Sequence, residues 1–131
     1  MSDQPKMTFD TYGVKRWRLN GFLHHKDGPA VEWPDGSKQW WTNGQLHRGD
    51  GPAVERPDGY KAWWVNGQLH RKDGPAVERP DGSKAWYLNG KLHRIGGSAI
   101  ERQNGSEEWW VDGVQHFRVE WRFLDVEEEL P

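Results

Sequence analysis

Histidine recurs at a fixed spacing along this 131-residue chain, and three of the copies are followed three residues later by an aspartate. The histidines are His24, His47, His70, His93 and His116, and the aspartates are Asp27, Asp50 and Asp73. Imidazole is the commonest metal ligand in proteins, and it acts as a general base when a carboxylate orients it. The pattern therefore raises two kinds of chemistry, a metal centre and a hydrolytic site.

The spacing argues against both kinds of chemistry. Equivalent atoms in successive repeats of two or three strands lie ~10–14 Å apart, whereas a zinc–nitrogen bond is ~2.0–2.1 Å. The chain has no cysteine, and no serine keeps a fixed place beside the histidines as a nucleophile. We therefore expect no catalytic residue, no metal and no cofactor. Each histidine is expected instead to stack on its cross-strand tryptophan or to cap the turn that follows it.

Tryptophan recurs with the same spacing. One position is tryptophan in all five copies: Trp17, Trp40, Trp63, Trp86 and Trp109. A solvent-facing row of indoles is a binding surface, because contiguous exposed apolar area is uncommon in soluble monomers. The alternative is packing, in which each indole covers the small alanine opposite it. The predicted partner-binding surface consists of this row together with His47, His70, His93, Arg48, Arg71 and Arg94.

These residues belong to a tandem repeat of 23 residues. Four gapless copies begin at Gly13, Gly36, Gly59 and Gly82, and a partial fifth copy begins at Gly105. Terminal copies of such an array are atypical because they close its ends. The chain is accordingly divided into an N-terminal cap strand with a short flexible tail (1–12), the repeats (13–116), and a C-terminal capping or dimerisation strand with an acidic tail (117–131).

Two turn signals in each copy predict the elements. Asn-Gly, or Asp112-Gly113 in the last copy, favours a type I′ hairpin turn, in which both central residues take positive φ. Pro-Asp-Gly, as at Pro57-Asp58-Gly59, favours a type I turn followed by a left-handed glycine. Turns this frequent leave no room for an ordinary helix. The fold class is therefore predicted to be all-β, a single-layer antiparallel β-hairpin repeat solenoid with a longer C-terminal strand.

Pairing across these turns sorts the side chains onto two faces, because residues directly opposite each other share a face. Counting outward from the turns of one repeat, the predicted pairs are Val54/Ala62, Glu55/Lys61, Ala53/Trp63, Trp64/Leu69 and Trp63/His70. The core face then repeats Val54, Ala62, Trp64 and Leu69, and the Trp/His face repeats Ala53, Glu55, Lys61, Trp63 and His70. The Glu and Lys side chains are expected to form cross-strand ion pairs, each contributing about 0–1 kcal/mol.

The run from His116 to Phe123 alternates strictly between apolar and charged residues. Its apolar side consists of Phe117, Val119, Trp121 and Phe123. An apolar strand face of this size needs cover in a soluble protein. Two arrangements stay open: the strand folds back over the core face as a cap, or it pairs with a second copy of the chain in a homodimer.

Composition limits the classes of partner. Only 34% of residues are hydrophobic, but the ten tryptophans can bury enough area to order the chain. The net charge of −2 provides no basic field for nucleic acid. There is no apolar run long enough for membrane insertion and no cysteine for disulfides. We expect a cytoplasmic protein that does not enter a membrane and does not bind nucleic acid through charge.

The recurring string Asp-Gly-Ser-Lys-x-Trp-Trp-x-Asn-Gly-x-Leu-His resembles the MORN repeat (membrane occupation and recognition nexus) over residues 13–116. Matching positions are Trp41, Trp64, Tyr87 and Trp110 on the family's tryptophan, Leu46, Leu69 and Leu92 on its methionine, and His47, His70 and His93 on its histidine. The chain departs from the family at Gln39, Ala62 and Ala85, where the family has glycine. It looks like a divergent variant of bacterial, phage or large-virus type. The resemblance implies a single layer of hairpins used for protein contacts or dimerisation, and no enzyme activity. Some members are proposed to touch phospholipid head groups, but this chain has no basic cluster to meet them.

Two functions follow as expectations. The first is a non-catalytic scaffold that binds a protein partner through the Trp/His face or the C-terminal strand. Such a scaffold could inhibit or sequester its partner, in the manner of an antitoxin-like or anti-defence factor. The second is a binder of small ligands or nucleic acid, in which bases or sugars stack on the indole row with help from Arg48, Arg71 and Arg94.

Overall fold

The computed structural model describes residues 4–117, which form short antiparallel strands joined by tight turns. The strands in this range are β1 (Lys6–Phe9), β2 (Lys15–Leu19), β3 (Phe22–Leu23), β4 (Val31–Glu32), β5 (Lys38–Gln39), β6 (Trp41–Thr42), β7 (Gln45–Leu46), β8 (Val54–Glu55), β9 (Lys61–Ala62), β10 (Trp64–Val65), β11 (Gln68–Leu69), β12 (Val77–Glu78), β13 (Lys84–Ala85), β14 (Tyr87–Leu88), β15 (Lys91–Leu92), β16 (Ile100–Glu101), β17 (Glu107–Val111) and β18 (Val114–His116).

Twelve of these strands form one long sheet in the order β1-β2-β4-β5-β8-β9-β12-β13-β16-β17-β18, with β3 paired to β2. The hairpins β6-β7, β10-β11 and β14-β15 form three separate two-stranded sheets. The prediction of an all-β antiparallel hairpin repeat is confirmed. The long sheet is open and gains two strands with each repeat, rather than closing into an evident solenoid. The longer C-terminal strand, with Val119, Trp121 and Phe123, lies outside the described residues.

The turns have the backbone that their sequences predict. Asn43 and Gly44 have φ of 48° and 79°, so both central residues of this hairpin turn are left-handed, as type I′ requires. In the Pro-Asp-Gly turn, Gly59 has a φ of 100° and its N–H donates to the Arg56 carbonyl at 3.1 Å. Only glycine takes such a φ without strain, which is why this residue recurs at the end of the turn.

The predicted register is confirmed for most pairs and is wrong for one. Val54 lies opposite Ala62, Glu55 opposite Lys61, and Trp64 opposite Leu69. The predicted Ala53/Trp63 pair does not form, because the Ala53 N–H donates to the Ala62 carbonyl at 2.8 Å. The Trp63 N–H donates to the carbonyl of Ala76 in the next repeat, at 2.7 Å. The chain leaves the long sheet at Trp63, and the hairpin β10-β11 begins one residue later.

Backbone hydrogen bonds also join each small hairpin to the next. The Gly67 N–H at the tip of β10-β11 donates to the Leu46 carbonyl of the preceding hairpin at 2.9 Å. The Arg48 N–H donates to the Trp64 carbonyl at 3.0 Å. The same two bonds recur in the following repeat, from Gly90 to Leu69 and from Arg71 to Tyr87. The hairpins are thus stacked in register beside the long sheet.

The core face predicted from pairing is confirmed. Val54, Ala62, Val77 and Ala85 form its buried centre. Partly buried hydrophobic side chains packed against this centre are Leu46, Tyr60, Trp64, Leu69, Tyr87, Leu92 and Ile100. No large side chain in residues 4–117 is completely buried, as expected for a single layer of strands. On the other face, Ala30, Ala53, Ala76 and Ala99 are 0% exposed.

Carboxylates hold the Pro-Asp-Gly turns. Asp81 Oδ1 accepts a hydrogen bond from the Ser83 N–H at 2.8 Å. The backbone and side-chain hydrogen bonds of Ser83 hold the pKa of Asp81 below its ordinary value of 3.8. In the last copy, Asn104 Oδ1 accepts from the Ser106 N–H at 2.9 Å. An amide therefore makes the same turn bond without titrating.

The two neighbouring tryptophans of a repeat should differ in their effect on stability. Trp64→Ala is expected to destabilise the protein more than Trp63→Ala, since Trp64 packs on the buried core cluster and loss of a core aromatic costs about 3–5 kcal/mol. Urea denaturation followed by circular dichroism measures both losses. Equal losses, or a larger loss for Trp63→Ala, would contradict the assignment of faces.

Asp81→Asn should change the pH dependence of stability and leave the fold intact. The folded chain holds the Asp81 proton more weakly than the unfolded chain, so this contribution is present above the unfolded pKa and is lost as the pH falls through the lowered folded pKa. The variant lacks this contribution, and its unfolding free energy should fall less steeply below about pH 4. Urea midpoints across the acidic range test this, and slopes identical to those of the wild type would contradict it.

Candidate partner-binding surface

On the Trp/His face, an arginine side chain covers one side of the tryptophan ring in three of the repeats. The guanidinium carbons of Arg48, Arg71 and Arg94 lie 3.8, 3.8 and 3.9 Å from the ring centroids of Trp40, Trp63 and Trp86, respectively. In the first repeat the equivalent residue is His25, whose ring stacks on Trp17 at 4.1 Å and 6°. The stacking partner is therefore the residue that follows the recurrent histidine, and the expectation that this histidine itself stacks was wrong.

Arg48 and Arg71 also hold the Asp-Gly-Pro loops that follow them, and Arg94 holds the Gly-Gly-Ser loop in the same place. Arg71 Nη1 donates to the Pro75 carbonyl at 3.0 Å and to Glu78 Oε2 at 3.1 Å, and its Nε lies 3.4 Å from Asp73 Oδ1. Arg48 repeats the pattern with Pro52, Glu55 and Asp50. A planar guanidinium can stack on a ring and donate from its edge at the same time. We call this arrangement the Arg/Trp clamp.

The loop glycine is required by the close approach of the arginine. A Cβ at Gly74 would lie 2.8 Å from the guanidinium carbon of Arg71, and one at Gly97 would lie 2.7 Å from that of Arg94. These distances are shorter than van der Waals contact. A side chain at this position would therefore displace the guanidinium from the clamp.

The clamp also overturns the predicted Glu–Lys ion pairs. The Glu55 and Glu78 carboxylates meet Arg48 and Arg71 at 3.4 and 3.1 Å, although Lys61 lies opposite Glu55 in the register. The physical reason is that an arginine anchored on an indole presents fixed donors, whereas an exposed lysine loses side-chain entropy when it pairs. In the first repeat, where His25 replaces the arginine, Glu32 pairs with Lys15 at 2.9 Å.

Four of the recurrent histidines cap a turn of the next repeat, rather than the turn that follows each of them in the chain as expected. The Nδ1 atom of each accepts a hydrogen bond at 3.0 Å from a backbone N–H of the next repeat. The pairs are His24 with Asn43, His47 with Asn66, His70 with Asn89, and His93 with Asp112. Because Nδ1 accepts, the hydrogen-bond network assigns the proton of the neutral ring to Nε2.

Three consecutive grooves run along this face, one for each of the first three repeats. Their volumes are about 490, 590 and 670 Å³, and they contain Trp17, Trp40 and Trp63, respectively. Leu19, Thr42 and Val65 occupy equivalent places in the three grooves. Neighbouring grooves share a wall: residues 24–27 border the first and second, and residues 48–50 border the second and third.

The structure brings together part of the predicted surface. Trp40, Trp63, His47, His70, Arg48 and Arg71 line the second and third grooves. Trp86, Trp109, His93 and Arg94 line none of the three. Phe117, from the predicted capping strand, is 74% exposed. Sequence reasoning did not identify the groove walls, to which Asp27, Asp50 and Asp73 contribute. The recurrence of these aspartates within two residues of a basic residue was the available signal.

Within residues 4–117, no three histidine, aspartate or glutamate side chains come together around a place for a metal ion. No helix in that range could cross a membrane. No protein-family model matches the chain, and no match was found among curated proteins. The similarity to MORN repeats therefore stays a prediction.

The clamp predicts an unusual order of tolerated substitutions at Arg71. Arg71→His should keep more stability than Arg71→Lys, because His25 already fills the equivalent position: it stacks on Trp17, and its Nδ1 lies 3.1 Å from the Pro29 carbonyl. A lysine can neither stack as a plane nor hold two acceptors in one plane, so a loss of about 1–3 kcal/mol is expected. Urea denaturation measures both variants.

Arg79→Lys is the matched control for this comparison, since Arg79 is exposed and lies at a Pro-Asp-Gly turn rather than over an indole. The Arg79→Lys variant should have the same urea midpoint of unfolding as the wild type. A loss for Arg71→Lys no larger than that of the control, or smaller than that of Arg71→His, would argue against the clamp as a source of stability.

Proposed function

We propose that this protein is a non-catalytic repeat scaffold of MORN-like type that binds an extended segment of a protein partner along the Trp/His face. The observation that carries the proposal is the row of three adjoining grooves, each containing the tryptophan of one repeat. A continuous row suits a long, narrow ligand better than a compact one. By occupying a segment of its partner, the protein would inhibit or sequester it.

The spacing of the grooves favours one conformation of the bound segment. Each repeat adds two strands to the long sheet, so equivalent points lie about 9.5 Å apart at ~4.7–4.9 Å per strand. A polyproline II helix has three residues per turn and a pitch of about 9.3 Å. Such a segment, lying along the row, would place every third residue in an equivalent groove. A partner with proline or another compact apolar residue at every third position fits this spacing.

The groove chemistry also suits a polyproline II backbone. This conformation has no internal hydrogen bonds, so its carbonyls need donors from the surface that binds it. His24, His47 and His70 line the grooves and carry Nε2–H donors, because their Nδ1 atoms accept the turn N–H groups. Aromatic side chains provide the apolar contact, as in other proline-rich recognition surfaces.

The alternative, base or sugar stacking on the indoles, receives less support. A guanidinium already lies over one face of Trp40, Trp63 and Trp86, and a histidine ring lies over Trp17. Those arginines are themselves paired with carboxylates, which reduces the charge available to a phosphate. Binding through the C-terminal strand concerns residues outside the described range and is a separate possibility for the test below.

A peptide with proline at every third position, long enough to span three grooves, is expected to bind the full chain and to shift its tryptophan fluorescence. Thr42→Arg combined with Val65→Arg would obstruct two adjacent grooves and should weaken binding by about tenfold or more. Gln45→Arg combined with Gln68→Arg is the matched control. These residues pair with Thr42 and Val65 across the same hairpins, are exposed, and line none of the three grooves.

Three results would overturn the proposal. One is a peptide that binds equally well when its prolines are moved to every fourth position. Another is a groove variant that binds as tightly as the control. The third comes from affinity capture in the source cell with mass spectrometry: a partner that is retained by the groove variant but lost on deletion of residues 118–131 would assign binding to the C-terminal strand.

A further inference from the structure

Five Asn-Gly dipeptides lie in turns of the described chain: Asn20-Gly21, Asn43-Gly44, Asn66-Gly67, Asn89-Gly90 and Asn104-Gly105. Asn-Gly is the dipeptide most prone to deamidation, because glycine has no side chain to obstruct its own backbone nitrogen. That nitrogen loses its proton and attacks the asparagine Cγ, a new N–C bond closes a succinimide ring, and ammonia leaves. Water then opens the ring to aspartate or isoaspartate. No reactant other than water is needed.

In four of these dipeptides the attacking nitrogen is held by a hydrogen bond. The N–H groups of Gly44, Gly67 and Gly90 each donate at 2.9 Å to a leucine carbonyl of the preceding hairpin. The Gly105 N–H donates to the Arg102 carbonyl, also at 2.9 Å. Ring closure requires this proton to leave and the turn to rotate, so the bond must break first. The bond thus lowers the rate of deamidation.

A second bond restrains three of the asparagines. The backbone N–H groups of Asn43, Asn66 and Asn89 donate to the Nδ1 atoms of His24, His47 and His70 at 3.0 Å. These turns therefore lose two hydrogen bonds when they open. The net contribution of one hydrogen bond stabilises the closed turn enough to change its opening equilibrium severalfold. Two such bonds change that equilibrium by about tenfold or more.

The first turn has neither restraint within the described residues. Within residues 4–117 no group accepts a hydrogen bond from the Gly21 N–H or the Asn20 N–H. The turn is also uncovered. A Cβ at Gly21 would meet nothing within 4 Å, whereas one at Gly44 would lie 2.9 Å from the ring of Phe22. Asn20 is exposed, with a left-handed φ of 53°, so its side chain and the Gly21 nitrogen are open to water.

We propose that Asn20 is the site of selective, spontaneous deamidation in the folded protein. The aspartate product is compatible with the fold, since Asp112-Gly113 forms the same turn in the last copy, with φ of 49° and 78°. The modification adds one negative charge at the first turn, next to Leu19 in the first groove. The isoaspartate product lengthens the backbone of the turn and disturbs the pairing of Leu19 with Phe22.

The test is peptide mapping by mass spectrometry after incubation of the full chain in mildly alkaline buffer, with a parallel sample in urea. In the folded chain, Asn20 should convert about tenfold or more faster than Asn43, Asn66 and Asn89. In urea, all five sites should convert at similar rates, since each is followed by glycine. Conversion of Asn43, Asn66 or Asn89 as fast as Asn20 in the folded chain would overturn the proposal.

His24→Ala tests the protecting role of the histidine caps within one molecule. The change removes the acceptor of the Asn43 N–H and leaves His47 on Asn66 intact. Once circular dichroism establishes that the variant is folded, conversion at Asn43 should rise severalfold relative to Asn66. An unchanged rate at Asn43 would refute the role of the cap. If all five rates rise together, the variant is unfolded, and the wild-type rates decide the question.

Discussion

Each repeat is held by its neighbours, because strands of two residues in a single layer cannot bury a core of their own. The buried cluster of Val54, Ala62, Val77 and Ala85 draws its members from three successive repeats, with Val54 and Ala62 pairing across one boundary, and the large side chains around it are only partly buried. Backbone bonds such as Gly67 to Leu46 cross the same boundary. The stability of such an array is approximately a sum of repeat terms and interface terms between neighbouring repeats. A repeat at the end of the array has one such interface instead of two.

On the other face, the Arg/Trp clamp supplies hydrogen-bond donors to a loop that has no regular structure. A loop running from Arg71 to Ala76 without regular structure would leave carbonyls without donors, and the Pro75 carbonyl receives one from the guanidinium. The same cation packs on Trp63 and neutralises Glu78. One side chain therefore links the indole row, the loop and the long sheet. One face of each covered indole is therefore occupied by the guanidinium, which is why the proposed binding concerns the grooves.

The histidine caps determine which ring nitrogen can donate a hydrogen bond on the Trp/His face. Each cap uses Nδ1 to hold a turn of the next repeat, and this leaves the proton on Nε2. The residue that stabilises the array is thus also a hydrogen-bond donor on a groove wall. Under the proposed function, structural and binding roles would be combined in one position, so replacement of His47 or His70 would disturb both. Variants at Thr42 and Val65 separate the roles better, because these residues line the grooves without capping a turn.

The sequence by itself determined the repeat length, the two kinds of turn, most of the strand register and the membership of the core face. These properties are local: Asn-Gly and Pro-Asp-Gly define the backbone of their own turns, and pairing is counted outward from a turn. Only the tertiary structure decided which side chain covers Trp63, which cation meets Glu78, and where the chain leaves the long sheet. Arg71 reaches a ring eight residues before it and a carboxylate seven residues after it through its rotamer and the fold of the intervening loop. The bond from the Trp63 N–H to Ala76 depends on where the next repeat packs, and no spacing within a single repeat carries that information.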